Sequence, residues 1–219
     1  MKPPPRSAVG APYYLPGIST ESFNFRIFNL QPSSRTKPST LEQPSNLQPS
    51  TIPRGGLLPQ IKRICFVCLG NIIRSPLAEH LFLSLSEQAG VSHKYEVDSA
   101  GISAYHVGEQ ADARMRRVAA RHGLHYNRRA RQFRTSDFDR FDLIMAMDST
   151  NHRDLLDLAS NADAGSKIHL LREYDPQGGP NAPVPDPYYG GNDGFEEVYR
   201  VLERSCEGLL RRLEDEGLE

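Results

Sequence analysis

The sequence predicts an α/β protein: a central four-stranded parallel sheet with helices on both faces, a three-layer sandwich. Two observations predict it. Short apolar runs of strand length fall at Ile64–Val67, Tyr95–Ser99, Leu143–Ala146 and Ile168–Leu170. Stretches of helical period separate them, near Pro76–Ala89, Ala111–His122 and Ser149–Leu158. Strands that alternate with helices make a parallel sheet, because each crossover helix must pack back onto a sheet face. Ligands of such sheets bind beyond the carboxyl ends of the strands. The loop after the first strand is therefore the first place to look for chemistry.

The elements follow in order. Residues 1–60 are rich in Pro, Ser, Thr and Gln, and Asn29-Leu-Gln-Pro-Ser33 recurs as Asn46-Leu-Gln-Pro-Ser50. Little there can be buried, so this stretch is expected to be a disordered extension, with the domain spanning 61–219. It lacks the apolar run of a secretory signal or a membrane span. The first strand leads into Cys68-Leu-Gly-Asn-Ile-Ile-Arg74-Ser75-Pro76. Gly70 can adopt backbone angles closed to other residues, and Asn71 tolerates a left-handed conformation. Ser75 is expected to cap the next helix, with Pro76 at its first position. Leu77, Leu81 and Leu85 then share one face until Gly90 stops the helix. Gly123 and Gly217 are further expected stops. The last helix uses Phe195, Val198, Leu202, Leu209 and Leu213, with charge on its other face.

Strand, tight loop and helix start form a pocket for an anion. Loop N–H groups converge, and the positive end of the helix dipole faces the same point. A cysteine at its mouth is held as the thiolate, the form those dipoles stabilise. Arg74 supplies a planar cation suited to two phosphate oxygens. The arrangement calls for a thiolate that attacks a bound phosphate. Cys-x5-Arg also arises by chance, and a cysteine beside a strand is often buried and inert.

Val67-Cys68-Leu-Gly-Asn-Ile-Ile-Arg74-Ser75-Pro76 resembles the signature loop of the low-molecular-weight protein tyrosine phosphatases. Further matches follow in that family's order: Asp98-Ser-Ala-Gly101, Tyr105-His-Val-Gly108, Asp112-x-Arg114, Ile144-Met-Ala-Met-Asp148 with Asn151, and Asp186-Pro-Tyr-Tyr189. The resemblance covers about residues 61–215. It implies a flavodoxin-like strand order and hydrolysis of phosphotyrosine through a cysteinyl-phosphate. Backbone N–H groups from Leu69 to Arg74, spanning Gly70, Asn71, Ile72 and Ile73, would hold the phosphate. The resemblance gives Asp186 the general acid role, 118 residues after Cys68. By itself, Asp186-Pro187 would read only as the start of a turn. Ser75 would hydrogen-bond the thiolate, and Asn71 would hold the loop in shape. Tyr105, Tyr188 and Tyr189 match the aromatic walls around the incoming ring, which favour a flat phenyl phosphate. Relatives that act on phosphoarginine tend to carry threonine where this chain has Ile72.

Alternative functions are a protein-arginine phosphatase, an arsenate-reductase-like member of the same fold, or a phosphate-binding module without turnover. Arsenate reduction needs shuttle cysteines near the site, and none is evident. Many relatives carry a second cysteine beside the arginine, where this chain has Ile73. Cys68 is therefore expected to lack a resolving thiol. Three cysteines in 219 residues give no disulfide framework and suit a reducing cytoplasm. No cofactor or metal is expected, and His122 and His169 are taken as structural.

The net charge of −1 conceals an uneven distribution: residues 1–60 hold six Lys/Arg against two Asp/Glu, the remainder 20 against 25. An acidic domain is not a general nucleic-acid binder. The expected partner is a phosphotyrosine-containing protein, met by a monomer, with neither nucleic acid nor membrane. Arginines between positions 114 and 131 could dock acidic substrate segments or could be a solvated face.

Overall fold

A computed structural model describes residues 61–188 and 192–215. The expected extension, Tyr189 and the stop at Gly217 lie outside them. The elements run β1 (Lys62–Cys68), α1 (Arg74–Gln88), β2 (Tyr95–Gly101), α2 (Ala113–Arg121), α3 (Asp137–Arg140), β3 (Leu143–Ala146), α4 (Ser149–Leu158), α5 (Ala162–Ser166), β4 (Ile168–Leu170) and α6 (Asn192–Asp215). The four strands form one parallel sheet in the order β2-β1-β3-β4. This is the expected architecture. Cys68 lies opposite Gly101, and Val67 opposite Ala146, so three strands end together. From β1 the chain crosses first to β2 on one side and later to β3 on the other. The crevice opened by that reversal lies at the end of β1, where the Cys68 loop begins.

Side chains alternate across β1, and each set enters its own core. Ile64, Phe66 and Cys68 join the larger cluster with Leu77 and Phe82 of α1, Met115 of α2 and Phe195, Val198 and Leu202 of α6. Cys65 and Val67 join the other, with Phe138 of α3, Leu155 of α4 and Ile168 of β4. Cys65 and Cys68 therefore face opposite sides of the sheet. The expected apolar stripe of α6 is buried throughout.

Helix ends follow local chemistry. After α1, Gly90 takes φ +72°; its N–H bonds Glu87 and the Val91 N–H bonds Ser86, a pairing that closes the last turn. Gly123 does the same after α2, at φ +79°. Asp112 and Asp148 cap α2 and α4 through their side chains. The start of α1 departs from expectation. The helix begins at Arg74, Ser75 lies inside its first turn, and no side chain caps it. The Ser75 hydroxyl is drawn to Cys68 and Ala100 instead, which leaves the first-turn N–H groups open. None of the described helices is long and apolar enough to cross a membrane.

Candidate functional site

A cleft of about 290 Å³ opens beyond the end of β1. Its floor is the 68–74 loop: Cys68, Leu69, Gly70, Ile72, Ile73 and Arg74 all line it. Among the described residues, the N–H groups of Leu69, Gly70, Ile72 and Ile73 have no protein acceptor. Together with the uncapped first turn of α1 they make a concavity of donors without a side-chain anion to fill it.

The loop turns at Asn71, which takes φ +55°. Gly70, expected to supply the unusual backbone, does not adopt a left-handed conformation. What it supplies is room, since a Cβ there would stand 2.9 Å from the His106 ring. Asn71 bears the left-handed turn because every polar atom of its amide is anchored. Its Nδ2 donates to Ser75 Oγ and Ser99 Oγ, both at 2.9 Å, and its Oδ1 accepts the Arg131 N–H at 2.9 Å. Ser99 Oγ in turn donates to Glu79 at 2.6 Å. Asn71 and Ser75 thus brace the loop from behind and do not line the cleft. The Asn71 N–H points at Cys68 Sγ, 3.2 Å away, and Ser75 Oγ lies 3.1 Å from the same sulfur.

Gly101, at the end of β2, is pressed against this loop. A Cβ there would meet Gly70 C at 2.9 Å, and Asn71 N and Leu69 O at 3.0 Å, all of them backbone. Gly101→Ala is expected to displace the loop. It should cost about 1–3 kcal/mol of stability and lower kcat/KM at least about tenfold. Thermal melts and steady-state kinetics check this, and an unshifted kcat/KM would contradict the fit.

Arg74 is almost wholly buried, at 4% exposure. Its NH1 donates to Asp148 Oδ2 at 2.6 Å and to the Val184 carbonyl at 3.2 Å; its NH2 donates to Asp186 Oδ2 at 3.0 Å. Burial would lower its pKa, but the charges of Cys68, Asp186 and Asp148 outweigh burial and raise it. Asp148 was legible only as part of a motif. It serves twice: Oδ1 caps α4 at Asn151 N, and Oδ2 fixes the guanidinium.

Asp186 reaches the cleft from a loop containing Pro180, Pro183, Pro185 and Pro187. That loop is tied down where Val184 N–H meets the Met147 carbonyl at 2.8 Å and where Arg172 meets the Pro183 carbonyl. The carboxylate is 44% exposed, and its Oδ1 accepts the Tyr188 N–H at 3.0 Å. Tyr105, 84% exposed, and Tyr188 stand on the rim, with Ser103 and His106 beside them. Arg114 links the two loops. Its guanidinium stacks on Phe195 at 4.7 Å and Tyr188 at 5.8 Å, and it pairs twice with Asp112, whose N–H bonds the Ile72 carbonyl. Burial would raise the Asp112 pKa, but the Arg114 hydrogen bonds hold the carboxyl below its usual range.

His122 stacks on Tyr199 and meets Glu196 at 2.7 Å, and His169 lies on β4; neither lines the cleft. Most of the arginines expected as a possible dock are engaged. Arg114 pairs with Asp112, Arg121 with Glu196, and Arg128 and Arg131 with Asp98.

The family profile described as "Low molecular weight phosphotyrosine protein phosphatase" matches residues 63–218. A Streptomyces coelicolor protein named low molecular weight protein-tyrosine-phosphatase is 47% identical over 155 residues, 70% of this chain and 94% of that protein. The human low molecular weight phosphotyrosine protein phosphatase is 41% identical over 152 residues, covering 69% and 95%. The crystal structure of a protein tyrosine phosphatase from Entamoeba histolytica, with Hepes in its active site, superposes with a TM-score of 0.68 at 41% identity. The match covers 71% of this chain and 98% of that one.

Proposed function

Because the chain belongs to the low molecular weight phosphotyrosine protein phosphatase family, we propose that it hydrolyses protein phosphotyrosine in two steps at Cys68. It is a phosphoric monoester hydrolase. The relatives' names favour tyrosine phosphatase over the arginine-phosphatase, arsenate-reductase and non-catalytic alternatives. The observation that carries the mechanism is the convergence of Cys68, Arg74 and Asp186 on one cleft.

The substrate phosphate enters the donor concavity and takes the loop N–H groups and Arg74 NH2 as partners. It competes with Asp186 for that NH2, so binding frees the carboxyl to turn toward the leaving oxygen. The Cys68 thiolate attacks phosphorus in line, and protonated Asp186 gives its proton to the departing phenol. The S–P bond forms as the P–O bond breaks. Asp186 then takes a proton from water, whose oxygen displaces the sulfur and releases inorganic phosphate. The Ser75 hydroxyl has one hydrogen and two acceptors in reach, the Ala100 carbonyl at 3.2 Å and Cys68 Sγ at 3.1 Å. Turned to the sulfur, it stabilises the leaving thiolate in the second step. Positioning and charge complementarity supply most of the acceleration. Tyr105 and Tyr188 flank the ring, and Tyr189 is assigned there by resemblance alone.

The enzyme is proposed to act in the cytoplasm, a reading supported by three free cysteines; that it acts as a monomer is an expectation from the sequence alone. Release of inorganic phosphate from p-nitrophenyl phosphate and from a phosphotyrosine peptide tests the function, and no release from either would refute it.

Oxidation supplies a further prediction. Burial pushes the Cys65 thiol up to about 12, and it faces the other side of the sheet from Cys68. Burial raises Cys206 as well, and its thiol points at the Ala78 carbonyl on α1. Neither is a ready resolving thiolate. Peroxide is expected to carry Cys68 to sulfinic and sulfonic acids. Activity should stay lost after dithiothreitol, and mass spectrometry should find those acids at Cys68. Full recovery after strong oxidation would contradict the assignment.

A further inference from the structure

We propose that a second, anion-recognising subsite lies beside the phosphate cleft, built around Arg134, and that it takes an acidic or phosphorylated side chain flanking the target phosphotyrosine. This rests on the protein phosphatase reading above and extends it to the substrate's neighbouring residues.

A separate hollow of about 600 Å³ is lined by Ala104, Val107, Arg131, Gln132, Arg134, Ser136, Asp137 and Arg140. It shares one loop with the phosphate cleft. Ser103, Tyr105 and His106 line the cleft, whereas Ala104 and Val107 line the hollow. The two sites are the two sides of a single short segment. A polypeptide whose phosphotyrosine occupies the cleft reaches the hollow by passing over that rim. An extended chain rises ~3.3 Å per residue, so a flank of a few residues crosses one loop.

The hollow's charge is layered. Asp98 and Asp137 are buried, each with a side chain only 9% exposed. Arg131 bonds both of them, and Arg140 bonds Asp98 and Glu96. The arginine side chains lie outside those acids, 27% exposed at Arg131 and 48% at Arg140. Asp137 also accepts the Arg134 N–H at 2.8 Å, which fixes that residue's backbone at the wall of the hollow. The Arg134 guanidinium differs from the other two. It is exposed, and among the described residues it has no hydrogen-bonding or ionic partner. An uncommitted guanidinium presents a fork that a carboxylate or phosphate can take in bidentate fashion. Val107, 55% exposed, offers the apolar stem of an incoming acidic side chain a surface beside it.

The test compares kcat/KM of the wild type and Arg134→Gln on three phosphotyrosine peptides. The peptides differ only at flanking positions, which carry glutamine, glutamate or phosphoserine. Each is measured at low and high ionic strength, with p-nitrophenyl phosphate in parallel. The wild type should prefer the anionic peptides by about 3–10-fold, less at high salt. Arg134→Gln should erase the preference while p-nitrophenyl phosphate turnover stays at the wild-type level, which also shows that the variant is folded. A greater gain from phosphoserine than from glutamate identifies a second phosphate as the natural occupant; an equal or smaller gain identifies a carboxylate. No anionic preference in the wild type, or a preference that survives Arg134→Gln, overturns the subsite and leaves the phosphatase reading intact. Wild-type protein that turns over neither p-nitrophenyl phosphate nor any peptide refutes the phosphatase reading itself, and the subsite falls with it.

Discussion

Cys68→Ser is expected to lower phosphatase turnover by about 10⁴-fold or more while the protein stays folded and still binds phosphate. Cys68 is 3% exposed, and its sulfur accepts the Asn71 N–H at 3.2 Å. A serine oxygen is smaller and can keep that contact and the one to Ser75, so the cradle survives. What disappears is the nucleophile. A serine hydroxyl is protonated at neutral pH, and the described residues bring no base to it: Ser75 and a backbone N–H are its neighbours. The loss should lie in kcat, with inorganic phosphate still competing for the site. Steady-state kinetics and a phosphate-binding titration check it, and a serine variant with wild-type turnover would exclude the thiolate mechanism.

Asp186→Ala is expected to cost roughly 10²–10⁴-fold in kcat/KM on phenyl or alkyl phosphates, and much less on p-nitrophenyl phosphate. The difference comes from the leaving group. Nitrophenolate departs without a proton, whereas phenolate and alkoxide need one at the transition state. Geometry adds a second expectation. Arg74 NH2 is already taken by the Asp186 carboxylate at 3.0 Å. Its removal leaves that donor to the ligand alone, so inorganic phosphate should inhibit the variant at least as strongly as the wild type. A plot of log kcat/KM against leaving-group pKa tests the acid role: steep for the variant and shallow for the wild type. Parallel slopes would take proton transfer away from Asp186.

Much of this was legible in the sequence because it is local. The runs at Leu143–Ala146, Ser149–Leu158 and Ile168–Leu170 have the observed boundaries, since apolar pattern and flanking breakers coincide there. Strand β1 runs two residues further toward the N-terminus than its apolar core, and β2 continues to Gly101, because parallel pairing extends into residues that propensity alone does not mark. The helices α3 and α5 were not foreseen, being too short to show a period. Ser75 was expected as a cap because the sequence shows a hydroxyl before a proline and cannot show that Cys68 and Ala100 compete for it. Arg74 and Asp186 were named from motifs. Their ion pair, the anchoring by Asp148 and the stacking of Arg114 on Tyr188 join residues from 74 to 112 positions apart, and such pairings belong to the fold. The hollow at Arg134 was not foreseen, since its arginines look alike until their partners are known.

The most direct measurement is a chemical quench of the Asp186→Ala enzyme during turnover of p-nitrophenyl phosphate, whose leaving group needs no acid, followed by peptide mapping in a mass spectrometer. A phosphoryl increment on the peptide carrying Cys68, lost again as inorganic phosphate appears, is the predicted result. A phosphoryl group on any other side chain, or product release at the full rate with no phosphoenzyme, would contradict the account.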